Sequence, residues 1–114
     1  MNHGVKTLVF PVSDLAQAKA LYSTLLGMEP AFDTPYYVGF RVDGQDIGLD
    51  PNGHRNGMTG PTAYLQVDDI QATLRSLLDA GAQQGNEVRD VGGGRLIATV
   101  KDADGNVIGL LQDS

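Results

Sequence analysis

Two segments of the chain repeat the same alternation of apolar and polar residues. TLVFPV at 7–12 and TAYLQV at 62–67 each alternate like a half-buried strand, and a Ser-Asp or Asp-Asp pair suited to capping a helix follows each one. Residues 7–15 align with residues 62–70 at a constant offset, since 62 − 7 = 70 − 15 = 55. We therefore interpret the chain as a tandem of two related halves.

A helical pattern follows each of these strands, because apolar residues recur at every third or fourth position. In the first half Asp14 is the predicted N-cap and Gly27 the predicted end. In the second half the corresponding residues are Asp68 and Gly81. The predicted apolar faces are Leu15, Ala18, Leu21, Tyr22 and Leu25 in the first helix, and Ile70, Leu74, Leu77 and Leu78 in the second.

Three short strand-like segments come after each helix, which gives each half the order βαβββ. The pairs Asp43-Gly44 and Asp104-Gly105 are predicted to close hairpins between the last two strands, since Asp-Gly readily adopts the positive φ of a tight turn. The predicted strands span about 28–33, 36–42 and 46–50, then about 84–90, 94–101 and 106–112.

The length of 114 residues suits one compact domain, here predicted over 1–114 with an α+β fold. Module one covers about 4–50 and module two about 62–112. The Gly, Pro and Asn-rich segment PNGHRNGMTGP at 51–61 is the predicted linker.

Charge and composition restrict the partners that we expect. The net charge is −6 without any Lys/Arg cluster, so nucleic acid is a poor partner, whereas a cationic small molecule is tolerated or attracted. No apolar run is long enough to span a membrane and the N-terminal residues do not resemble a signal peptide, so we expect no membrane partner and a cytoplasmic location. The absence of cysteine excludes disulfides, thiolate ligands and a Cys nucleophile.

The double βαβββ pattern resembles the vicinal oxygen chelate superfamily, which contains glyoxalase I, extradiol dioxygenases, fosfomycin-resistance enzymes and bleomycin-binding proteins. The resemblance covers essentially the whole chain and depends on VSDLAQAKALYSTLLGM near the start, VDDI opening the second half and DADGNVIGL near the end. It implies that each module curls a mixed sheet into half of a cup, and that two modules pair to form a cup-shaped cavity. That pairing occurs within one chain or between two, and we expect a homodimer.

Metalloenzymes of this superfamily bind a divalent metal through side chains of the first and last strands of each module, typically His and Glu. Carried over by position, these ligands fall at Thr7, Gly48, Thr62 and Gly109, none of which supplies an imidazole or a carboxylate. We therefore predict no metal and no other cofactor. His3 and His54 are interpreted as solvated residues, because neither has a matching ligand pair nearby in the sequence.

Strand alternation then predicts which side chains line the cup. Gly39 is predicted to lie opposite Gly48, where the two glycines would leave the deepest recess, and Arg41 is predicted opposite Asp46. Asp50 is placed at the rim with Asp46. The predicted ligand-binding residues are Thr7, Val9, Tyr37, Arg41, Asp46, Gly48, Thr62, Tyr64, Gln66, Gly109 and Leu111.

The residues leave two main functions open, and no catalytic residue is assigned. The missing ligand set favours a metal-free, non-catalytic protein that binds an apolar or cationic metabolite or antibiotic. The alternative is a glyoxalase-type lyase or dioxygenase-type oxidoreductase with relocated or absent metal ligands, in which Asp46, Asp50 or Tyr64 would act as acid or base. A third possibility is that the pocket is closed and the domain serves only as an interaction module.

Overall fold

The computed structural model describes residues 2–114 and confirms the predicted α+β fold with the βαβββ order in both halves. The second strand of the second half, predicted at 84–90, is divided into two short strands. The elements are β1 Asn2–Pro11, α1 Leu15–Leu26, β2 Phe32–Thr34, β3 Tyr37–Val42, β4 Gln45–Asp50, β5 Thr62–Val67, α2 Ile70–Asp79, β6 Gln83–Gln84, β7 Arg89–Asp90, β8 Leu96–Lys101 and β9 Val107–Gln112.

The chain divides into two compact units. The N-terminal unit comprises Thr7–Thr62, and the C-terminal unit comprises Ala63–Ser114 together with the residues up to Lys6. In the N-terminal unit the strand order is β2-β3-β4-β1, with β1 parallel to β4 and the other pairs antiparallel. In the C-terminal unit β5 is parallel to β9, β9 is antiparallel to β8, and both β6 and β7 pair with β8. Each unit therefore contains a mixed sheet, as predicted.

The core of each unit lies between its helix and one face of its sheet. In the N-terminal unit the buried core residues are Val38, Phe40 and Leu49, and α1 packs on them. In the C-terminal unit α2 contributes Ile70 and Leu74 to a larger cluster. The remaining buried members of that cluster are Val67, Ala98, Val100 and Leu110.

The predicted apolar face of α1 is partly wrong. Leu15, Ala18, Tyr22 and Leu26 pack against the core, whereas Leu21 and Leu25 are 65% and 72% exposed. Each of these two leucines directly precedes a packed residue, so it is rotated by about 100° away from the sheet. The helix is apolar around most of its circumference, and periodicity alone therefore did not identify the packed side.

The first helix has the predicted ends, and the second begins one residue later than predicted. Asp14 Oδ1 accepts a hydrogen bond from Gln17 N at 3.0 Å, and Gly27 has a φ of 66° at the C-cap. In α2 the N-cap is Asp69, whose Oδ1 accepts from Ala72 N at 3.1 Å. Asp68, the predicted cap, instead bonds to another strand, as described below.

The two predicted hairpins are present but have different turns. Asp43 and Gly44 have φ of 48° and 84° between the paired residues Val42 and Gln45, which is a two-residue turn of the type favoured in hairpins. The β8–β9 connection is longer, and Asp102 organises it by accepting hydrogen bonds from Asp104 N, Asn106 N and Asn106 Nδ2, each at 2.9 Å. The bonds from Asn106 hold the pKa of Asp102 below its ordinary value.

The predicted strand at 84–90 is interrupted where residues 85 and 86 bond to the backbone and the side chain of Thr99. Thr99 Oγ1 accepts a hydrogen bond from Asn86 N at 2.7 Å, and Gly85 N donates to Thr99 O at 2.9 Å. A Cβ at Gly85 would overlap this threonine. The result is a bulge between β6 and β7, and glycine permits the close approach that the bulge requires.

Candidate functional site

The sheet face opposite the helix, which we call the helix-free face, carries the predicted ligand-binding residues in each unit. In the N-terminal unit the predicted residues alternate along β1 and β4 with Leu8, Phe10, Ile47 and Leu49. The last three of these face α1. Register places Thr7 beside Asp46, Val9 beside Gly48, Gly39 opposite Gly48 and Arg41 opposite Asp46. The predicted alternation and cross-strand pairs are confirmed for these positions.

The recess predicted at Gly39 and Gly48 is filled by the ring of Tyr37. A Cβ added to Gly48 would overlap the Tyr37 hydroxyl and would lie 2.5 Å from its Cζ, and a Cβ added to Gly39 would lie 3.2 Å from Tyr37 Cε2. The ring therefore lies diagonally across both glycines. The expectation that a larger residue at 48 would point into open space is wrong in this conformation, because the tyrosine already occupies that space.

Gly109 is covered in the same way by a different tyrosine. Tyr64 is its direct neighbour on the parallel strand β5, and a Cβ at Gly109 would lie 2.5 Å from Tyr64 Cδ1 and 2.7 Å from Tyr64 Cγ. The backbone oxygen of Ala63 would be 2.8 Å away. Gly48 thus contacts the hydroxyl end of a ring, whereas Gly109 contacts the base of a ring and the backbone itself.

Polar groups lie beside the covered glycine of the N-terminal unit. Arg41 Nε donates to Asp46 Oδ1 at 3.1 Å. Asp46 and Asp50 flank Gly48 on the same face of β4, so two carboxylates border the Tyr37 ring. Thr7 is only 5% exposed, and its Oγ1 has no hydrogen-bond partner among residues 2–114.

In the C-terminal unit a polar chain follows the tyrosine along β5. Gln66 Nε2 donates to Asp113 Oδ2 at 3.0 Å, and Arg95 Nε donates to Asp113 Oδ1 at 2.7 Å. Leu111, the register partner of Gln66, is almost fully buried, and so is Thr62. A ligand can touch these last two side chains only if their neighbours move.

Two residues that take part in these arrangements, Phe32 and Asp113, were not predicted from the sequence. Phe32 pairs with Gly39, lies with its Cβ 3.4 Å from the Cβ that Gly39 lacks, and is 61% exposed. It therefore extends the aromatic surface formed by Tyr37, and its place opposite a glycine was the available signal. Asp113 follows the last strand, where alternation after Gly109 and Leu111 would have found it.

Neither histidine lies among metal-ligating groups. His3 Nε2 and Asp68 Oδ1 are 2.7 Å apart, and the hydrogen bond to His3 holds the pKa of Asp68 below its ordinary value. His54 is in the turn after β4. Across residues 2–114 no group of three or more His, Asp or Glu side chains is arranged to hold a metal ion.

The divalent metal implied by the family resemblance does not fit the residues at its four positions. Threonine hydroxyls at 7 and 62 are weak neutral ligands compared with the imidazole and carboxylate groups that such ions prefer. A carboxylate at Gly48 would require the Tyr37 ring to leave, and one at Gly109 would overlap both Tyr64 and a backbone carbonyl. The donor set and the packing thus disagree with the chelating arrangement.

A concavity of about 480 Å³ lies on the other side of the N-terminal unit, between α1 and the β2–β3 turn. The ion pair between Lys19 Nζ and Asp33 Oδ2 contributes to its wall, and this bond raises the pKa of Lys19. This concavity is separate from the helix-free face, which carries the ligand-binding residues predicted from the sequence. Its lining residues are Leu15, Ala16, Lys19, Asp33, Thr34, Pro35 and Val38.

Solved structures with this fold belong to proteins of several different kinds. Methylmalonyl-CoA epimerase from Mycobacterium tuberculosis is 20% identical, with a TM-score of 0.75 over 99% of this chain and 89% of that one. A glyoxalase/bleomycin resistance protein/dioxygenase superfamily member from Vibrio splendidus 12B01 is 18% identical, with a TM-score of 0.73 over 99% and 100%. The Mn(II)-bound glyoxalase from Novosphingobium aromaticivorans is 18% identical, with a TM-score of 0.73 over 99% of this chain and 40% of that one. At these identities the likeness concerns the fold alone.

The sequence itself identifies the family. A search of curated proteins found no match to the chain. The family model described as the Glyoxalase/Bleomycin resistance protein/Dioxygenase superfamily matches residues 4–110, nearly the full length. The resemblance inferred from the double βαβββ pattern and its three motifs is thereby confirmed, and the chain belongs to the Glyoxalase/Bleomycin resistance protein/Dioxygenase superfamily.

Proposed function

We propose that this protein binds a small apolar or cationic molecule without a metal, against the tyrosine-covered glycines of its helix-free faces. One observation carries the proposal: each unit has an aromatic ring over the glycine at the position where a chelating relative would have its carboxylate. A ring offers a large apolar contact area and a negative π face, which suit binding rather than metal chelation.

The surroundings of Tyr37 support a cationic ligand in particular. Asp50 lies beside Gly48 on β4 and the whole chain has a net charge of −6, whereas Asp46 is already paired with Arg41. A positively charged group above an aromatic face gains roughly 0.5–2 kcal/mol, and nearby carboxylates add to the attraction. Phe32 provides a second, exposed ring beside the first.

Thr7 supports a ligand that also carries a hydrogen-bonding group. Its buried hydroxyl lacks a partner among the described residues, and such a group costs about 1–3 kcal/mol when it stays unsatisfied. A polar atom of the ligand would remove that cost, but it reaches this hydroxyl only if the neighbouring side chains move, because Thr7 is as buried as Thr62. Thr7 lies beside Asp46 by register, so a donor such as an amine or hydroxyl suits the position better than an anion does.

The test is a thermal-shift screen of aromatic amines, each compared with the same ring lacking the amine, followed by calorimetric titration of the compounds that raise the melting temperature. Tyr37→Ala is expected to weaken binding by about 1–3 kcal/mol, and Tyr37→Phe to retain most of it. Tyr36→Ala is the matched control, because Tyr36 is the neighbouring residue and is 74% exposed.

Two outcomes would contradict the proposal. The first is that no aromatic amine binds. The second is that Tyr37→Ala and Tyr36→Ala affect binding equally, which would place the ligand elsewhere. Stoichiometric metal in the purified protein would instead favour the glyoxalase- or dioxygenase-type alternative.

A further inference from the structure

The segment 51–61 contains two Asn-Gly pairs that the proposed function does not use. They are Asn52-Gly53 and Asn56-Gly57, within the run NGHRNG. An asparagine before glycine is chemically labile, because glycine has no side chain to keep its backbone nitrogen away from the asparagine side-chain carbon. The two pairs have the same chemistry, so a difference in their reactivity must come from the fold.

Hydrogen bonds and packing hold the first pair in place. Asn52 N donates to Asp50 Oδ1 at 2.8 Å, and Gly53 N donates to Asp50 O at 3.2 Å. The carbonyl of Asn52 accepts from Asn56 N at 3.0 Å, so the peptide between Asn52 and Gly53 is bonded on both sides. Gly53 is buried, and a Cβ there would lie 2.6 Å from Pro11 Cβ. This peptide cannot rotate towards the Asn52 side chain unless the turn opens.

The second pair lies at the exposed end of the same turn. Asn56 and Gly57 are both exposed. A Cβ on Gly57 would meet no atom of residues 2–114 within 4 Å, apart from its chain neighbours. Gly57 N donates to His54 O at 3.1 Å, and the φ of Gly57 is 93°. A bond to another exposed residue restrains this peptide less than the bonds and packing of the first pair do.

We propose that Asn56 is a site of spontaneous deamidation and that the fold protects Asn52 from the same reaction. The nitrogen of Gly57 loses its proton and bonds to Asn56 Cγ, and the Cγ–Nδ2 bond breaks as ammonia leaves. Water then opens the succinimide ring at either carbonyl and gives aspartate or isoaspartate. The net reaction consumes water and releases ammonia, and it needs no oxidant, reductant or cofactor.

The modification changes the charge and the backbone of an exposed turn. Each conversion adds a carboxylate next in sequence to Arg55 and changes the net charge of the chain to −7, since −6 − 1 = −7. The isoaspartate product also lengthens the backbone by one carbon before Gly57. Neither Asn56 nor Gly57 belongs to the predicted ligand-binding residues, so the reaction does not depend on the proposed function.

The first experiment compares the two asparagines in the same folded chain. Trypsin separates them at Arg55, because Asn52 falls in the peptide 42–55 and Asn56 in the peptide 56–75. The full chain is incubated at mildly alkaline pH, and the mass gain of an amide-to-acid conversion is followed in both peptides. The rate in 56–75 is expected to be at least about tenfold higher, because Asn52 reacts only after local opening. A zero-time sample corrects for conversion during digestion.

The control for the fold is the same incubation in urea, where both pairs lose their hydrogen bonds. The rates of Asn52 and Asn56 are expected to become similar there, since both asparagines precede glycine. Equal rates in the folded chain, a faster reaction at Asn52, or a difference that persists in urea would overturn the proposal. An Asn56 that stays amidated in the folded chain for a period that converts it in urea would also overturn it.

The second experiment uses a matched pair of variants. Asn56→Gln is expected to abolish the acidic form that the folded protein acquires in isoelectric focusing, because glutamine must close a larger ring and reacts much more slowly. Asn52→Gln is expected to leave that form unchanged. Melting curves verify that both variants are folded. An acidic form that persists in Asn56→Gln, or that disappears in Asn52→Gln, would contradict the assignment of the site.

Discussion

At the scale of single residues, the two glycines of the Ile-Gly-Leu steps differ in what surrounds them. At both, an aromatic ring occupies the space that a side chain would take, so glycine is a packing requirement there. The contact at Gly48 is with the hydroxyl end of Tyr37, which can swing away by rotation of its side chain. The contacts at Gly109 include the base of the Tyr64 ring and the carbonyl of Ala63, which cannot move so easily.

Substituting alanine at each glycine measures this difference. Gly109→Ala is expected to lower the free energy of unfolding by about 1–3 kcal/mol, as overpacking does in a filled site. Gly48→Ala is expected to cost less, since the Tyr37 ring can rotate away about its side-chain bonds without any movement of the backbone. Urea denaturation of both variants checks this prediction, and equal losses would show that Tyr37 is held as firmly as Tyr64.

At the scale of elements, the N-cap of α2 is Asp69, one residue later than the predicted cap Asp68. Asp68 and Asp69 are adjacent, and either could precede a helix, but only Asp69 accepts from the backbone N–H of Ala72. A second N-terminal donor, Ile70 N, is satisfied at 2.7 Å by Gln112 Oε1 from β9. The side chain of Asp68 bonds to His3 instead, and a partner 65 residues away in the sequence could not be inferred from local spacing.

The two aspartates provide a matched pair for measuring the cap. Asp69→Ala is expected to destabilise the protein by about 0.5–2 kcal/mol, because it leaves the Ala72 N–H without its acceptor. Asp68→Ala is expected to cost less, since its bond to His3 lies at the exposed surface. Melting curves of the two variants at neutral pH compare them, and a larger loss for Asp68→Ala would contradict the assignment of the cap.

Local patterns predicted the elements better than they predicted the packing. The order of elements along each half, the Asp43-Gly44 turn and the pairing of Gly39 with Gly48 all follow from periodicity, alternation and turn chemistry. The bulge at Thr99 and the outward position of Leu21 and Leu25 did not, because they depend on contacts with other elements. The two glycines were identified from the sequence, but the rings that cover them were not, because that cover also depends on contacts between strands.

At the scale of the whole molecule, the match over residues 4–110 establishes the family without establishing its chemistry. Proteins with this fold include a methylmalonyl-CoA epimerase and an Mn(II)-bound glyoxalase. In this chain the four positions that the resemblance assigns to a chelating set hold two threonines and two ring-covered glycines. No helix within residues 2–114 is long and apolar enough to cross a membrane.

Metal content therefore distinguishes the proposed binding protein from its enzymatic relatives. Purified protein is expected to carry no stoichiometric Zn, Ni, Fe or Mn, and its melting temperature is expected to stay unchanged on adding either a chelator or excess Zn²⁺. Elemental analysis together with thermal melting makes the measurement. About one bound transition metal per chain would refute this expectation.

The rings over the two glycines come from positions that do not correspond in the repeat. The counterpart of Tyr64 at the offset of 55 is Val9. Tyr37 lies two residues before Gly39, the partner of Gly48, and the corresponding residue before Thr99, the partner of Gly109, is Ile97. One tyrosine lies on the strand parallel to its glycine strand and the other on the antiparallel neighbour. The two halves therefore fill equivalent positions with rings from different strands, so the aromatic covers are a property of each half separately and not of the repeat.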